Sequence, residues 1–257
     1  MNPRTSVILL AAVLGVASRA SAQFGPPPPV PHLSGKEGAP EDITGYWVSV
    51  ITEDWRWRML TPAKGDFTSV PLNPEGIKVT QAWDPAKDLT QNGACKAYGA
   101  PGLMRLPTRL HITWQDDNTL QVEADEGTQT RLFHFGSKPP LGQAPSLQGW
   151  SAAEWDISRP TMMGFMPPPS GKPAGSLKVI TTSLKPGYLR KNGIPYGADT
   201  VLTEYFTRTN EPDGESWLLL TTIVEDPQYL ASDFLISSHF KKEADGSKWH
   251  PSPCRAQ

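Results

Sequence analysis

Histidine is the side chain whose ordinary proton affinity falls near neutral pH, and three of the five here, His111, His134 and His239, fall in stretches that alternate as strands. Around His134 the alternation sets Thr130, Leu132 and His134 on one face and Arg131, Phe133 and Phe135 on the other. Glu204 alternates with Leu202 and Phe206. If that face turns inward, burial raises its carboxyl pKa towards the range of a general base, and the opposite face, with Val201 and Tyr205, leaves the direction open. His134 or Glu204 as base, with Arg131, Arg56 or Arg58 facing a developing oxyanion, would suit a cofactor-independent lyase, isomerase or hydrolase. The plainer alternative for each is a structural or solvated side chain.

A second set suits ligand binding. Glu53-Asp54-Trp55-Arg56-Trp57-Arg58-Met59 reads as a strand with Trp55, Trp57 and Met59 on one face and Arg56 and Arg58 on the other. Such rings could line a pocket for an aromatic or terpenoid-like molecule, with an arginine on its carboxylate or carbonyl, or they could simply be core. The loop from Pro186 to Tyr196 carries Tyr188, Tyr196, Arg190 and Lys191 among turn residues, a composition that could grip an anionic or phenolic ligand. It also fits an ordinary hairpin connection.

Several classes are disfavoured. The chain has no Gly-x-Ser-x-Gly elbow, His-Glu-x-x-His helix, phosphate loop or dinucleotide fingerprint. The histidines lack metal-ligand spacing, so neither a metal nor a cofactor is expected. With 24 basic and 26 acidic residues and a pI near 6.2, no strong field would draw nucleic acid.

The elements that must position these residues are short. Residues 1–22 have a positive start at Arg4, an apolar run and Ala20-Ser21-Ala22, the layout of a cleavable signal peptide. The run is shorter than the roughly 18–20 residues of a membrane span, so no integral span is expected. A proline-rich, disordered leader follows at 23–41, then one domain from 42 to 257. In an exported chain its two cysteines, Cys95 and Cys254, are expected to form a disulfide. Alternation predicts strands at 44–51, 55–60, 109–114, 119–124, 128–135, 153–157, 176–184, 200–208, 217–224 and 233–240, with hairpins at 115–118 and 125–127. One helix is predicted from Pro74 to Trp83, with Asn73 as its cap. Long proline-rich loops at 139–149 and 162–175 could be binding loops or plain insertions.

Gly45-Tyr46-Trp47 resembles the Gly-x-Trp that opens the first barrel strand of lipocalins and related calycins. In that family the tryptophan closes one end of the barrel beside an arginine near the end of the last strand. The resemblance thus gives Trp47 a part in lining the cavity and makes Arg208 the nearest partner for it. A second resemblance rests on Trp155, on 176–182, on Glu204-Tyr205-Phe206-Thr207-Arg208 and on Glu225-Asp226-Pro227-Gln228-Tyr229. These are similar to motifs in a group of uncharacterised secreted bacterial proteins, which implies export and fold but no chemistry. The expected fold is all-β, an antiparallel lipocalin-like barrel of roughly 8–10 strands with long loops and at most one or two short helices. The expected function is a periplasmic or secreted protein that binds a small apolar or aromatic molecule in the barrel lumen. The alternatives are the enzyme above and an envelope interaction module tethered by the leader.

Overall fold

The computed structural model describes residues 33–90, 93–157 and 174–255. The segment expected to be a signal peptide, most of the expected leader and most of the loop at 162–175 lie outside the described residues.

Nine strands form a closed barrel: β1 Gly45–Val50, β2 Arg109–Asp116, β3 Thr119–Ala124, β4 Gln129–Phe135, β5 Trp150–Ile157, β6 Gly175–Thr182, β7 Val201–Asn210, β8 Ser216–Glu225 and β9 Phe234–Glu243. Each pairs with its neighbours in sequence, and β1 closes the ring on β9 through Val48↔Lys241 and Val50↔His239. All pairings are antiparallel except β4 with β5, which run parallel from Phe133↔Ser151 to Phe135↔Ala153. A ring with an odd number of strands cannot alternate direction all the way round. The loop at 136–149 resolves the conflict by carrying the chain back to the end where β4 began.

The period-two pattern places the apolar residues inside. In β3, Leu120, Val122 and Ala124 are buried while Thr119, Gln121 and Glu123 lie outside. In β8 the inward set is Leu218, Leu220, Thr222 and Val224. Trp47, Phe133, Phe206 and Phe240 fill the interior together with Leu110, Ile112 and Leu177. Both predicted hairpins form, and the first is fixed by the Asn118 amide donating to Asp116 Oδ1 at 2.8 Å.

Register places the end of β1, the starts of β2 and β7, and the ends of β3 and β6 at one end of the barrel. Two long insertions, 51–108 and 183–200, leave from this end. They contain α1 Trp55–Arg58, α2 Pro74–Ala82, α3 Pro85–Thr90, a 3-10 helix Gly93–Tyr98, α4 Ala100–Leu103 and a small hairpin of Gly187–Arg190 with Ile194–Tyr196. Helix α2 starts as predicted, with Asn73 Oδ1 accepting from the Gly76 amide at 2.9 Å. The chain therefore has more helical turns than the one or two expected.

The strand expected at 55–60 is not formed. Asp54 takes a left-handed conformation with φ 52°, and its carbonyl accepts from the amides of both Trp57 and Arg58, which winds the chain into α1. The proposed two faces are lost: Trp55 is 61% exposed and Met59 is exposed, while Arg58 is buried. At the opposite end of the barrel, residues 33–41 from the expected leader pack on the strands. The Trp155 indole donates to the Gly35 carbonyl at 2.6 Å, and the Lys36 amide donates to the Asp117 carbonyl at 2.9 Å.

Cys95 and Cys254 are joined. The bridge holds a C-terminal strap against the insertion end, where Ser252–Pro253 runs parallel to Glu126–Gly127.

Candidate functional site

A pocket of about 260 Å³ opens at the insertion end. Trp57, Met59, Leu60, Leu106 and Leu189 give it apolar wall, and Arg58, Arg105, Arg190, Lys191 and Glu126 give it charge. Four cations and one carboxylate line it, and Glu53 and Asp54 pair with two of the cations from behind.

Each cation is placed by its local fold. Arg58 reaches inward from the last turn of α1, donating from Nε to the Arg105 carbonyl at 2.9 Å and from Nη1 to Glu53 at 2.5 Å. Arg105, just after α4, donates from Nη2 to Asp54 at 3.0 Å. Arg190 ends the first strand of the small hairpin and donates to the Thr68 carbonyl at 2.9 Å and to Ser69 Oγ at 3.0 Å. Its guanidinium lies 5.4 Å from the Trp57 ring centroid. Lys191 donates to Glu126 at 3.1 Å, and Glu126 in turn accepts from Ser252 Oγ at 2.8 Å, so the bridged strap supports one wall.

The hairpin turn requires a glycine. Gly193 has φ +81°, and a Cβ there would lie 2.1 Å from the Trp83 ring. Beside it, buried Asn192 donates to the carbonyls of Ala63 at 3.0 Å and Asp66 at 2.8 Å. Asp66 accepts from the Trp57 indole at 3.0 Å, so one asparagine fixes the turn that aims Trp57.

Burial sets the electrostatics. Arg58, Arg105 and Arg190 are only 5%, 5% and 4% exposed. Each keeps one guanidinium nitrogen without a hydrogen-bond partner among the described residues: Arg58 Nη2, Arg105 Nη1 and Arg190 Nε. Arg58 and Arg105 have carboxylate partners, while Arg190 makes no ion pair among the described residues. Burial, with Arg105 nearby, pulls the Arg190 pKa down to about 10, which still leaves it charged at neutral pH.

No family model, curated protein or solved structure matches the chain. Its chemistry has to be read from the residues themselves.

Of the residues singled out by sequence, Trp57 and Arg58 line this pocket. Trp55 and Arg56 are exposed on the outside of α1, with Arg56 5.1 Å from the Trp57 ring centroid. Tyr188 lies to the side, its hydroxyl donating to Asp88 at 3.0 Å, and burial first, then that carboxylate, raises its pKa. Tyr196 is fully buried, and burial likewise raises its pKa. Trp47 is inside the barrel, its indole donating to the Ile43 carbonyl at 3.0 Å. The cation over it is Lys242, 5.2 Å from the ring centroid, whereas Arg208 donates to the Asp42 carbonyl.

The catalytic set divides. Arg131 and Glu204 both point into the lumen and pair there, out of contact with solvent. His134 is on the outer face, stacked on Trp150 at 3.9 Å, and burial first of all lowers its pKa while Asp116 opposes the shift. His111 and His239 also face outward, onto Glu123 at 3.0 Å and Glu53 at 3.3 Å. Sequence reading did not single out Arg105. The available signal was a lone charge inside the apolar run Leu103-Met104-Arg105-Leu106.

Proposed function

We propose that the protein is an exported, lipocalin-like binding protein that holds a small apolar or aromatic molecule in the pocket at the insertion end of its barrel. The observation that carries this reading is the pocket itself, where an indole, aliphatic side chains and buried guanidinium groups converge on about 260 Å³. Binding sites of this kind combine apolar wall with a few placed polar groups, and this volume suits a molecule smaller than a typical drug. The lumen fits a ligand less well, because its inward side chains are buried against one another and its one ion pair is sealed. The disulfide fits an oxidising compartment, and among the described residues no helix is long and apolar enough to cross a membrane.

The test is native mass spectrometry of protein purified from its own host, followed by denaturing extraction, on the wild type and on Trp57→Ala. A small molecule carried by the wild type and lost from the variant supports the reading. A molecule retained in full by Trp57→Ala overturns this site. Wild-type protein that arrives empty and takes up nothing from a panel of small aromatic molecules overturns binding as the function.

A further inference from the structure

Arg190 is a charge out of place. A guanidinium that is 4% exposed, held by the Thr68 carbonyl and the Ser69 hydroxyl with the Trp57 ring centroid 5.4 Å away, makes no ion pair among the described residues, and Asp54 and Asp66 act on it only at longer range. Uncompensated buried charge is costly, and proteins retain it where a partner completes the site. The neighbouring cations do not supply that partner. Arg58 and Arg105 are paired with Glu53 and Asp54, and Lys191 with Glu126, so Arg190 is the lining cation that makes no ion pair among the described residues.

Resting on the binding function proposed above, we infer that the ligand is a carboxylic acid with an apolar or aromatic body, whose carboxylate is received by Arg190, with Arg58 and Arg105 adding positive charge to the same lining. Guanidinium nitrogens suit a planar carboxylate in a forked arrangement. The body of the acid has its own surface, since Met59 and Leu60 line the pocket and are also exposed at its rim.

Calorimetric titration of the full mature chain with benzoate, 3-phenylpropanoate and decanoate, with the matching amides and with sulfate, tests this. At least one acid is expected to bind, with its amide and sulfate each about 10- to 100-fold weaker, the range expected for a charge-assisted contact. Arg190→Met is expected to weaken acid binding more than amide binding and so remove that preference, while Arg56→Gln, on the exposed face of α1, leaves the preference unchanged. Should Arg190→Met fail to fold, Arg190→Lys is the substitute, keeping the charge but weakening acid binding more than amide binding. Equal binding of acid and amide overturns the carboxylate while leaving the pocket reading intact. Sulfate binding as tightly as the acids overturns the apolar body. Binding of no acid and no amide overturns the pocket reading and this inference together.

Discussion

Arg131 donates two guanidinium hydrogen bonds to Glu204, at 3.0 and 2.5 Å, and both side chains are fully enclosed in the barrel. The second of these nitrogens, Nη2, also donates to Thr181 Oγ1 at 3.2 Å, which is paired with Ser151 at 2.7 Å, so three strands besides β4 are tied together by polar contacts inside an apolar core. Removing one partner strands the other charge. Glu204→Met or Arg131→Met is therefore expected to cost about 3–5 kcal/mol, and the double replacement Arg131→Met with Glu204→Met much less than the sum of its parts. Urea unfolding of the four proteins gives the coupling directly. Additive costs would show that the pair is not a unit.

The Cys95–Cys254 bridge closes a loop of 159 residues. In the chain-entropy picture, replacing both cysteines with serine is expected to lower stability by about 5 kcal/mol. It should also loosen the strap whose Ser252 holds Glu126, so ligand affinity at the mouth should fall even under conditions where the barrel stays folded. Guanidinium unfolding and thiol labelling of the denatured chain, with and without reductant, check both the cost and the bond.

His134 is expected to make the fold sensitive to mild acid. Its pKa is held below the ordinary 6.5, chiefly because it is partly buried against Trp150. The unfolded chain thus binds the proton more readily than the folded one. Stability is full above the unfolded pKa, and declines as pH falls through it towards the folded value. His134→Phe, which keeps a ring on Trp150, should flatten the fall in thermal midpoint between about pH 7 and about pH 5. An unchanged slope would assign that acid sensitivity to other groups.

Trp47 is enclosed at 0% exposure, and its loss in Trp47→Ala is expected to cost about 3–5 kcal/mol. Lys242 over its ring adds less: Lys242→Met should cost under about 1 kcal/mol, the usual worth of such a contact at a partly exposed site. Thermal unfolding of the two variants separates cavity from cation.

The barrel was legible because its strands bury one face, and one buried face writes period two into the sequence. That held even for β7, where the enclosed carboxylate Glu204 keeps its place between Leu202 and Phe206. The mouth was not legible for a related reason. Trp55-Arg56-Trp57-Arg58 alternates like a strand, but α1 is too short to display a helical period and is set by the left-handed turn at Asp54. Arg105 and Arg190 come from segments far apart in sequence, and only the folding of both insertions onto one end of the barrel brings them together. Lys242 was missed because the search was for an arginine, whereas the ring takes either cation.

Because β1 has β9 as its second neighbour, the ring has an order of assembly. A growing chain can add each strand to the one before it, yet until residues 234–243 exist both β1 and β8 present open edges to other chains. Closing β9 on both neighbours leaves neither of these two edges open. Cys254 lies beyond β9, so its bond to Cys95 can form only once every strand has been made. The bridge thus serves as a latch that closes last, and an oxidised chain is one whose nine strands have all been synthesised.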